Sequence, residues 1–178
     1  MNYEETAKNN LNQFFSDELK EERELLLDVA RRFNNKCLNW CLIGSSTLFF
    51  RGITTDFTGY DILIDYTDIT EAIEIVKELH AMDMPKGDLT LDASTLFNKY
   101  KIGNIHLNLF SEIRLRTVVE FEYKFHPLYI DKINISYMEI PIISAPIQHT
   151  LYSVSGLLQI PCRDEADLLS AYLKKIER

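Results

Sequence analysis

Residues 41–66 read CLIGSSTLFFRGITTDFTGYDILIDY, and this stretch decides the fold that the chain can adopt. The apolar run before Gly44 predicts a short buried strand, and the small residues that follow predict a tight turn into a short helix. Residues 60–65 predict a second strand, whose side chains alternate between two faces. Asp61 therefore shares a face with Gly59, which lies two residues before it. That position on the face thus carries a glycine and no acid.

Composition predicts a globular protein and argues against two classes of partner. Of the 178 residues, 46% are hydrophobic and 11% are aromatic, which is enough for a packed core. The formal net charge of −8 disfavours non-specific binding to nucleic acid, which requires clustered Lys and Arg. No run approaches the roughly 18 apolar residues of a membrane span, and the polar start MNYEETAKNN is unlike a signal peptide. We therefore expect a cytoplasmic protein with no membrane partner.

The rest of the chain predicts a single α/β domain, residues 1–178, with helices at both ends. Residues 1–36 predict a helical segment of one long helix or two shorter ones. Residues 37–112 predict the core, and residues 113–178 predict a strand-rich segment followed by closing helices. The further predicted elements are a helix at Asp68–Ala81, a loop at Met82–Asp92, strands at Leu96–Lys101 and Ile105–Phe110 around a Gly103-Asn104 turn, strands within Val118–Ile143, and helices at Pro146–Leu158 and Arg163–Ile176.

The order of features in the opening stretch resembles the start of the nucleotidyltransferase superfamily, in its minimal and antibiotic-modifying branches. In that family an apolar strand leads to Gly-Ser or Gly-Gly, a short helix, and a strand that carries Asp-x-Asp. Here thirteen residues separate Gly44-Ser45 from Gly59, which stands at the first Asp position, and Asp61 stands at the second. The segment PCRDEADLLSAYL, residues 161–173, is similar to the Arg-x-Lys-Asp-x-x-Asp-Leu helix that closes many of these domains. The resemblance implies a nucleotidyltransferase-like mixed β-sheet flanked by helices.

The resemblance also implies a site in which two Mg²⁺ ions lie between three carboxylates and polarise a phosphoryl group. The third acid of the family belongs to a later strand of the form apolar-Asp-apolar, and the matching segment here, NIHLNLF, carries Asn108 at that position. Asp61 is then the only retained metal-site acid, because Gly59 and Asn108 occupy the other two positions. A glycine offers a metal no ligand and an amide oxygen is uncharged, so we expect Mg²⁺ binding to be weak or absent.

Two other residues are candidates to replace the missing acids. Asn104, His106 and Asn108 share one strand face, and on a neighbouring strand His106 would approach Asp61 as a one-metal site or an acid–base pair. The alternative is a half-buried strand with a polar outer face, since one His and two amides are poor ligands for Mg²⁺. Asp56, in the preceding loop, is the other candidate.

Small residues at a strand-to-helix turn let a phosphate approach backbone N–H groups, and Gly44, Ser45 and Ser46 suit that task. The alternative is a tight turn that needs only small side chains. Because the spaced second strand follows it, we interpret the turn as a nucleotide-binding one. Arg163, near the start of the last helix, either contacts a phosphate or pairs with an acid.

Three hypotheses for function follow, in the order in which the residues favour them. The first is a nucleotidyltransferase-like protein that has lost catalysis and acts as a nucleotide-binding or regulatory module. The second is an active transferase that moves an NMP group onto a small molecule or protein through a reduced metal site at Asp61. The third is a protein-interaction domain paired with a partner chain. Under the first hypothesis, replacing both Gly59 and Asn108 with aspartate is expected to rebuild three converging carboxylates.

Overall fold

The computed structural model describes residues 2–85, 96–116, 120–157 and 163–176. The helices are α1 (Tyr3–Phe14), α2 (Lys20–Asn35), α3 (Ser45–Phe50), α4 (Ile69–Glu78), α5 (Ala145–Leu157) and α6 (Arg163–Ile176), with a 3₁₀ turn at Pro127–Tyr129. The strands are β1 (Trp40–Ile43), β2 (Tyr60–Ile64), β3 (Met82–Asp83), β4 (Leu96–Ile102), β5 (Ile105–Arg116), β6 (Glu120–Tyr123), β7 (Ile130–Ile135) and β8 (Met138–Ile143). No helix in the described ranges is long and apolar enough to cross a membrane.

The strands form one mixed sheet in which β2 is central. The spatial order is β3-β4-β5-β2-β1-β8-β7, and β6 pairs antiparallel with the C-terminal part of β5. β2 pairs antiparallel with β1 on one side and parallel with β5 on the other. In this register Asp61 lies opposite Ile43 on β1 and opposite Asn108 on β5. The middle of the sheet therefore joins segments that are 47 residues apart in sequence.

The alternation of side chains along β2 divides the hydrophobic core between the two sides of the sheet. Ile62 and Ile64 are buried on the side covered by α2 and α4, and Leu63 is buried on the other side with Leu151 of α5. Full burial of such a side chain contributes about 1.5–3 kcal/mol. The buried stripe of α2 consists of Leu25, Leu26, Val29, Ala30 and Phe33.

The predicted mixed sheet with helices at both ends of the chain is confirmed. The N-terminal segment holds two helices, and Ser16 lies in the break between them. The Ser16 hydroxyl donates to the Gln13 carbonyl oxygen at 2.6 Å and accepts from the Glu18 N–H at 3.2 Å. These are backbone groups that would bond to other backbone groups if the helix were continuous. The predicted Gly103-Asn104 turn joins β4 to β5.

The helix expected at Asp68–Ala81 spans Ile69–Glu78, and two strands also differ from those expected from the sequence. Met82 and Asp83 were expected in a loop, but they form β3 because their backbones pair with β4. The strand expected to end at Phe110 continues to Arg116, because its second half pairs with β6. The predicted features that lie outside the described residues are positions 86–92 of the loop, Val118, and Leu158 at the end of a helix.

α1 packs onto the end of α3 so closely that only glycine fits at position 52. The Asn10 amide of α1 donates hydrogen bonds of 2.7 Å to the carbonyl oxygens of Phe49 and Thr54. Gly52 has a φ of +69°, and a Cβ added there would overlap the Tyr3 carbonyl oxygen of α1. The N-terminal helix therefore fixes the end of the short helix that begins directly after the small-residue turn.

We expect Gly52→Ala to destabilise the fold more than Gly103→Ala. Both glycines have positive φ, +69° and +58°, and alanine in that region costs about 1 kcal/mol of strain. A Cβ at Gly103 meets nothing within 4 Å, whereas overpacking against α1 at Gly52 adds about 1–3 kcal/mol. Urea unfolding of the two variants measures this difference. Equal losses of unfolding free energy would contradict the close contact between α1 and α3.

Candidate functional site

Asp61 and Asn108 lie side by side because β2 and β5 pair in parallel at this point. The Asn108 amide nitrogen Nδ2 donates a hydrogen bond of 2.7 Å to Asp61 Oδ1. Both side chains are half-buried. An amide N–H carries partial positive charge, so this hydrogen bond stabilises the ionised form of the carboxylate.

Gly44 covers the second oxygen of the Asp61 carboxylate. It belongs to the turn of residues 43–46, named here the Gly44 turn, and has a φ of +71°. A Cβ added to Gly44 would overlap Asp61 Oδ2 and lie 3.0 Å from Asp61 Cγ, so no larger residue fits unless the turn or the carboxylate moves. Asp61 is thus held on both sides, by the Asn108 amide at Oδ1 and by the Gly44 backbone at Oδ2.

Burial raises the pKa of Asp61, because the charged carboxylate loses solvation among the surrounding protein atoms. The hydrogen bond from Asn108 lowers the pKa, but its effect is the smaller of the two. The folded protein therefore binds a proton at Asp61 more readily than the unfolded chain does.

Gly59 does not offer a position from which a side chain joins Asp61. Its φ is +122°, which strains any residue with a side chain, and a Cβ there would lie 2.5 Å from the His106 carbonyl oxygen. The expectation that aspartates at positions 59 and 108 rebuild three converging carboxylates is therefore corrected. The backbone of β5 occupies the space that a side chain at position 59 would need.

The other predicted metal ligands lie apart from this pair. His106 is exposed on β5, and among the residues that the structure describes no hydrogen bond joins it to Asp61. Asn104 is exposed in the hairpin turn, and Asp56 is exposed in the loop before β2. Across the same described ranges, no group of three or more His, Cys, Asp or Glu residues is arranged to hold a metal ion.

The donor set of Asp61 and Asn108 does not fit Mg²⁺. This ion requires near-octahedral oxygen coordination and gives up its water reluctantly, so it favours sites with several charged oxygens. Here a single carboxylate faces the N–H side of a neutral amide, not its oxygen. Asn108 Oδ1 has no hydrogen-bond partner in the described part of the chain, but it is buried, so a ligand would reach this neutral acceptor only after the amide rotates.

The two serines of the Gly44 turn lie in different surroundings. The Ser45 hydroxyl is 2.7 Å from the Thr58 hydroxyl, in the loop that leads into β2. The Ser46 hydroxyl is buried and donates to the Ile43 carbonyl oxygen at 3.3 Å. The Ser46 side chain therefore faces inward, and Ser45 carries the more accessible hydroxyl. Arg163 is the first residue of α6, and its contact with a phosphate stays a prediction.

A buried polar network behind the Gly44 turn was not predicted from the sequence. Gln148 of α5 is 1% exposed and Arg51, directly after α3, is 8% exposed. Gln148 Nε2 donates to the Gly44 carbonyl oxygen at 2.9 Å, and Arg51 Nη1 donates to Gln148 Oε1 at 3.0 Å. Arg51 Nη2 donates to Asp131 Oδ2 at 3.1 Å and to a carbonyl oxygen of β8. The signal that would have indicated this network is the charged residue inside the apolar run LFFRGI, residues 48–53.

No protein-family model matches this chain, and no curated protein does. Solved structures are nevertheless similar to it in fold. A Thermotoga maritima protein assigned as a nucleotidyltransferase has a TM-score of 0.64 and 20% identity, and the match covers 87% of this chain and 94% of that one. The lincosamide antibiotic adenylyltransferase LnuA, bound to lincomycin, has a TM-score of 0.54 and 15% identity, with 85% of this chain and 96% of that one covered.

A third similar structure is ANT(2″)-Ia in complex with adenylyl-2″-tobramycin. It has a TM-score of 0.58 and 12% identity, and the match covers 86% of this chain and 91% of that one. At 12–20% identity the likeness to these nucleotidyltransferases establishes the fold alone. The mixed sheet flanked by helices is thus the nucleotidyltransferase-like fold that the opening strand, turn and helix predicted.

Proposed function

We propose that this protein is a nucleotide-binding or regulatory module on a nucleotidyltransferase-like scaffold, and that it has lost metal-dependent nucleotidyl transfer. The observation that carries the proposal is the enclosed carboxylate of Asp61. The Asn108 amide engages one of its oxygens, and Gly44 packs against the other. Transfer with two metal ions needs several carboxylates that converge on the ions, and this site supplies one.

The Asn108 amide provides the positive partner that a cation would provide at a metal site. Its N–H lies along the approach to Asp61 Oδ1, at a donor–acceptor distance of 2.7 Å. A cation that bound there would have to displace this hydrogen bond and rotate the amide so that its oxygen faced the ion. The gain from one charged ligand and one neutral ligand is small beside the cost of dehydrating Mg²⁺.

Two observations support the ligand-binding half of the proposal. The Gly44 turn combines a glycine of positive φ with the Ser45 hydroxyl, next to the partly exposed Asp61. Two proteins of similar fold hold small molecules, lincomycin in LnuA and adenylyl-2″-tobramycin in ANT(2″)-Ia. By analogy we assign a nucleotide or a nucleotide-like small molecule to the partly exposed surface formed by Ser45 and Asp61.

An active transferase is the second candidate function. It is favoured by the retained Asp61 beside the unpartnered oxygen of Asn108, which together offer one charged and one neutral ligand. Labelled nucleotides incubated with candidate acceptors test this function directly. Transfer by the wild type that Asp61→Asn abolishes would establish the transferase and overturn the proposed loss of catalysis.

We expect calorimetry to detect binding of at least one of ATP, GTP, CTP and UTP in EDTA, with no gain in affinity when Mg²⁺ replaces the chelator. The reason is that the Gly44 turn offers the Ser45 hydroxyl, whereas the described part of the chain holds no group of three or more His, Cys, Asp or Glu residues arranged for a metal. Ser45→Leu fills the turn and is expected to abolish the binding heat, while the exposed Thr150→Ala on α5 is the control. Absence of binding by all four nucleotides would remove the nucleotide-binding assignment.

We expect Asn108→Asp to increase Mn²⁺ affinity. The change places a second carboxylate beside Asp61, and one added charge at about 4 Å from an ion is worth on the order of 1–4 kcal/mol per unit charge on the ion. For divalent Mn²⁺ the lower end is about 2 kcal/mol, or about thirtyfold in affinity. Without metal the variant should be less stable than the wild type, because two adjacent carboxylates repel. Calorimetric titration with Mn²⁺ and urea unfolding in EDTA measure the two effects.

Asn104→Asp is the matched control for this test, because it adds the same charge at an exposed turn on the same hairpin. It should leave both Mn²⁺ affinity and stability near those of the wild type. Tight Mn²⁺ binding by the wild type, or equal affinity in the two variants, would show that the Asp61–Asn108 pair does not limit metal binding.

We expect Asp61→Asn to stabilise the protein at pH 7 and to lose this advantage in acid. Burial raises the folded-state pKa of Asp61 above the unfolded value of about 3.9. The wild type therefore loses stability as pH rises from the unfolded-state pKa through the folded-state pKa. Asparagine has no charge to desolvate, and its oxygen still accepts the bond from Asn108. Urea unfolding in EDTA at pH 3.5, 5 and 7 follows the trend, with Asp56→Asn as the control for net charge. If the stability advantage of Asp61→Asn over the wild type grew toward acid pH, folding would lower the pKa of Asp61, contrary to the direction given above.

A further inference from the structure

The side-chain amide of Gln148 is the link between α5 and the Gly44 turn. Gln148 Nε2 donates to the Gly44 carbonyl oxygen at 2.9 Å and lies 3.3 Å from the Tyr152 hydroxyl. Gln148 Oε1 lies 3.0 Å from Arg51 Nη1 and 2.7 Å from the Thr47 hydroxyl. Both ends of the amide are therefore engaged within the protein interior.

Arg51 determines which way the Gln148 amide faces. A guanidinium has only hydrogen-bond donors, so the Gln148 atom that meets Arg51 must be the oxygen. Arg51 is itself held by Asp131 and by the Ile143 carbonyl oxygen. The Gln148 nitrogen must then face the Gly44 carbonyl oxygen, where it is the correct donor.

The Thr47 hydroxyl does not replace Gln148 as the anchor of the Gly44 turn. It lies 2.7 Å from the Gly44 carbonyl oxygen and 2.7 Å from Gln148 Oε1. A hydroxyl has one proton, so it donates to only one of these acceptors at a time. Gln148 Nε2 is the donor that serves the Gly44 carbonyl oxygen in either case, and that carbonyl belongs to the residue packed against Asp61 Oδ2.

We propose that Gln148 is a positioning residue, which holds the Gly44 turn against Asp61 and so fixes the surface beside Ser45 to which the ligand is assigned. The part of this inference that concerns a ligand rests on the proposed nucleotide-binding function. The part that concerns the turn rests on the hydrogen bonds alone. Gln148 itself is buried behind the turn and does not touch the ligand.

Gln148→Glu separates this positioning role from a merely structural one. The glutamate keeps an oxygen for Arg51 and Thr47 and adds a charge pair with the guanidinium, so the fold should be retained. Its second oxygen would replace the donor at 2.9 Å from the Gly44 carbonyl oxygen, and two acceptors at that distance repel. Gln148→Met, which keeps the length of the side chain and removes the amide, is a second variant that does not depend on this charge.

Amide hydrogen exchange by NMR gives a readout that needs no ligand. We expect exchange at residues 48–50, the first amides of α3 that have intrahelical acceptors, to accelerate by about tenfold in Gln148→Glu, the worth of one hydrogen bond, while exchange in the β-sheet stays unchanged. Thr47→Val should leave exchange at residues 48–50 near the wild-type rate, because the bond from Gln148 to Gly44 remains. Thr150→Ala, on the exposed side of the same helix, should change neither rate.

Calorimetry with the nucleotide that binds the wild type gives the second readout. We expect Gln148→Glu to weaken its binding by about tenfold, since the ligand must then order the turn itself. Unchanged exchange at residues 48–50 in folded Gln148→Glu or Gln148→Met overturns the positioning role. Faster exchange in Thr47→Val but not in the Gln148 variants overturns it as well. If the wild type binds no nucleotide, the proposed function fails, and the exchange rates alone decide whether Gln148 positions the turn.

Discussion

The parallel pairing of β2 with β5 is the constraint on which the rest of the structure depends. It places Asp61 and Asn108 at the same level and on the same side of the sheet. A slip of one residue would turn every side chain of β2 to the opposite side, and the burial of Ile62 and Ile64 against the helices prevents that slip. The hydrogen bond between the carboxylate and the amide is thus a consequence of how the hydrophobic core packs.

Local chemistry was enough to predict the strand, turn, helix and strand of residues 41–66 and the face that Asp61 occupies. Each of these depends on alternation or on small residues within a few positions. The conformation of Gly59 was not predictable, because the identity of a glycine does not specify which of its many allowed φ values it adopts. Gln148 was missed for another reason: its contact with Gly44 spans 104 residues, and nothing in the surrounding sequence indicates the partner.

Positions 59 and 108 carry a glycine and an amide, so Asp61 is the one carboxylate among the three positions. Several carboxylates gathered at one place repel one another until a cation arrives. In this chain one carboxylate is hydrogen-bonded to an amide, and nearby Arg51 is paired with Asp131. Buried polar groups rigidify a structure when their hydrogen bonds are satisfied. Near the Gly44 turn, the charge of Arg51 is therefore balanced by Asp131, and the Asp61 carboxylate is hydrogen-bonded to a neutral amide.

The bond from Gln148 to Gly44 also bears on the order in which the molecule folds. The strand, turn and helix around Gly44 leave the ribosome long before α5, whose Gln148 follows 104 residues later. Contacts of such long sequence separation form late, because the entropy of closing the loop must be overcome before they contribute stability. The turn therefore gains its contact with Gln148 only when α5 packs against it. A nascent chain that stops before α5 has all the residues of the turn but lacks the contact that gives the turn its shape.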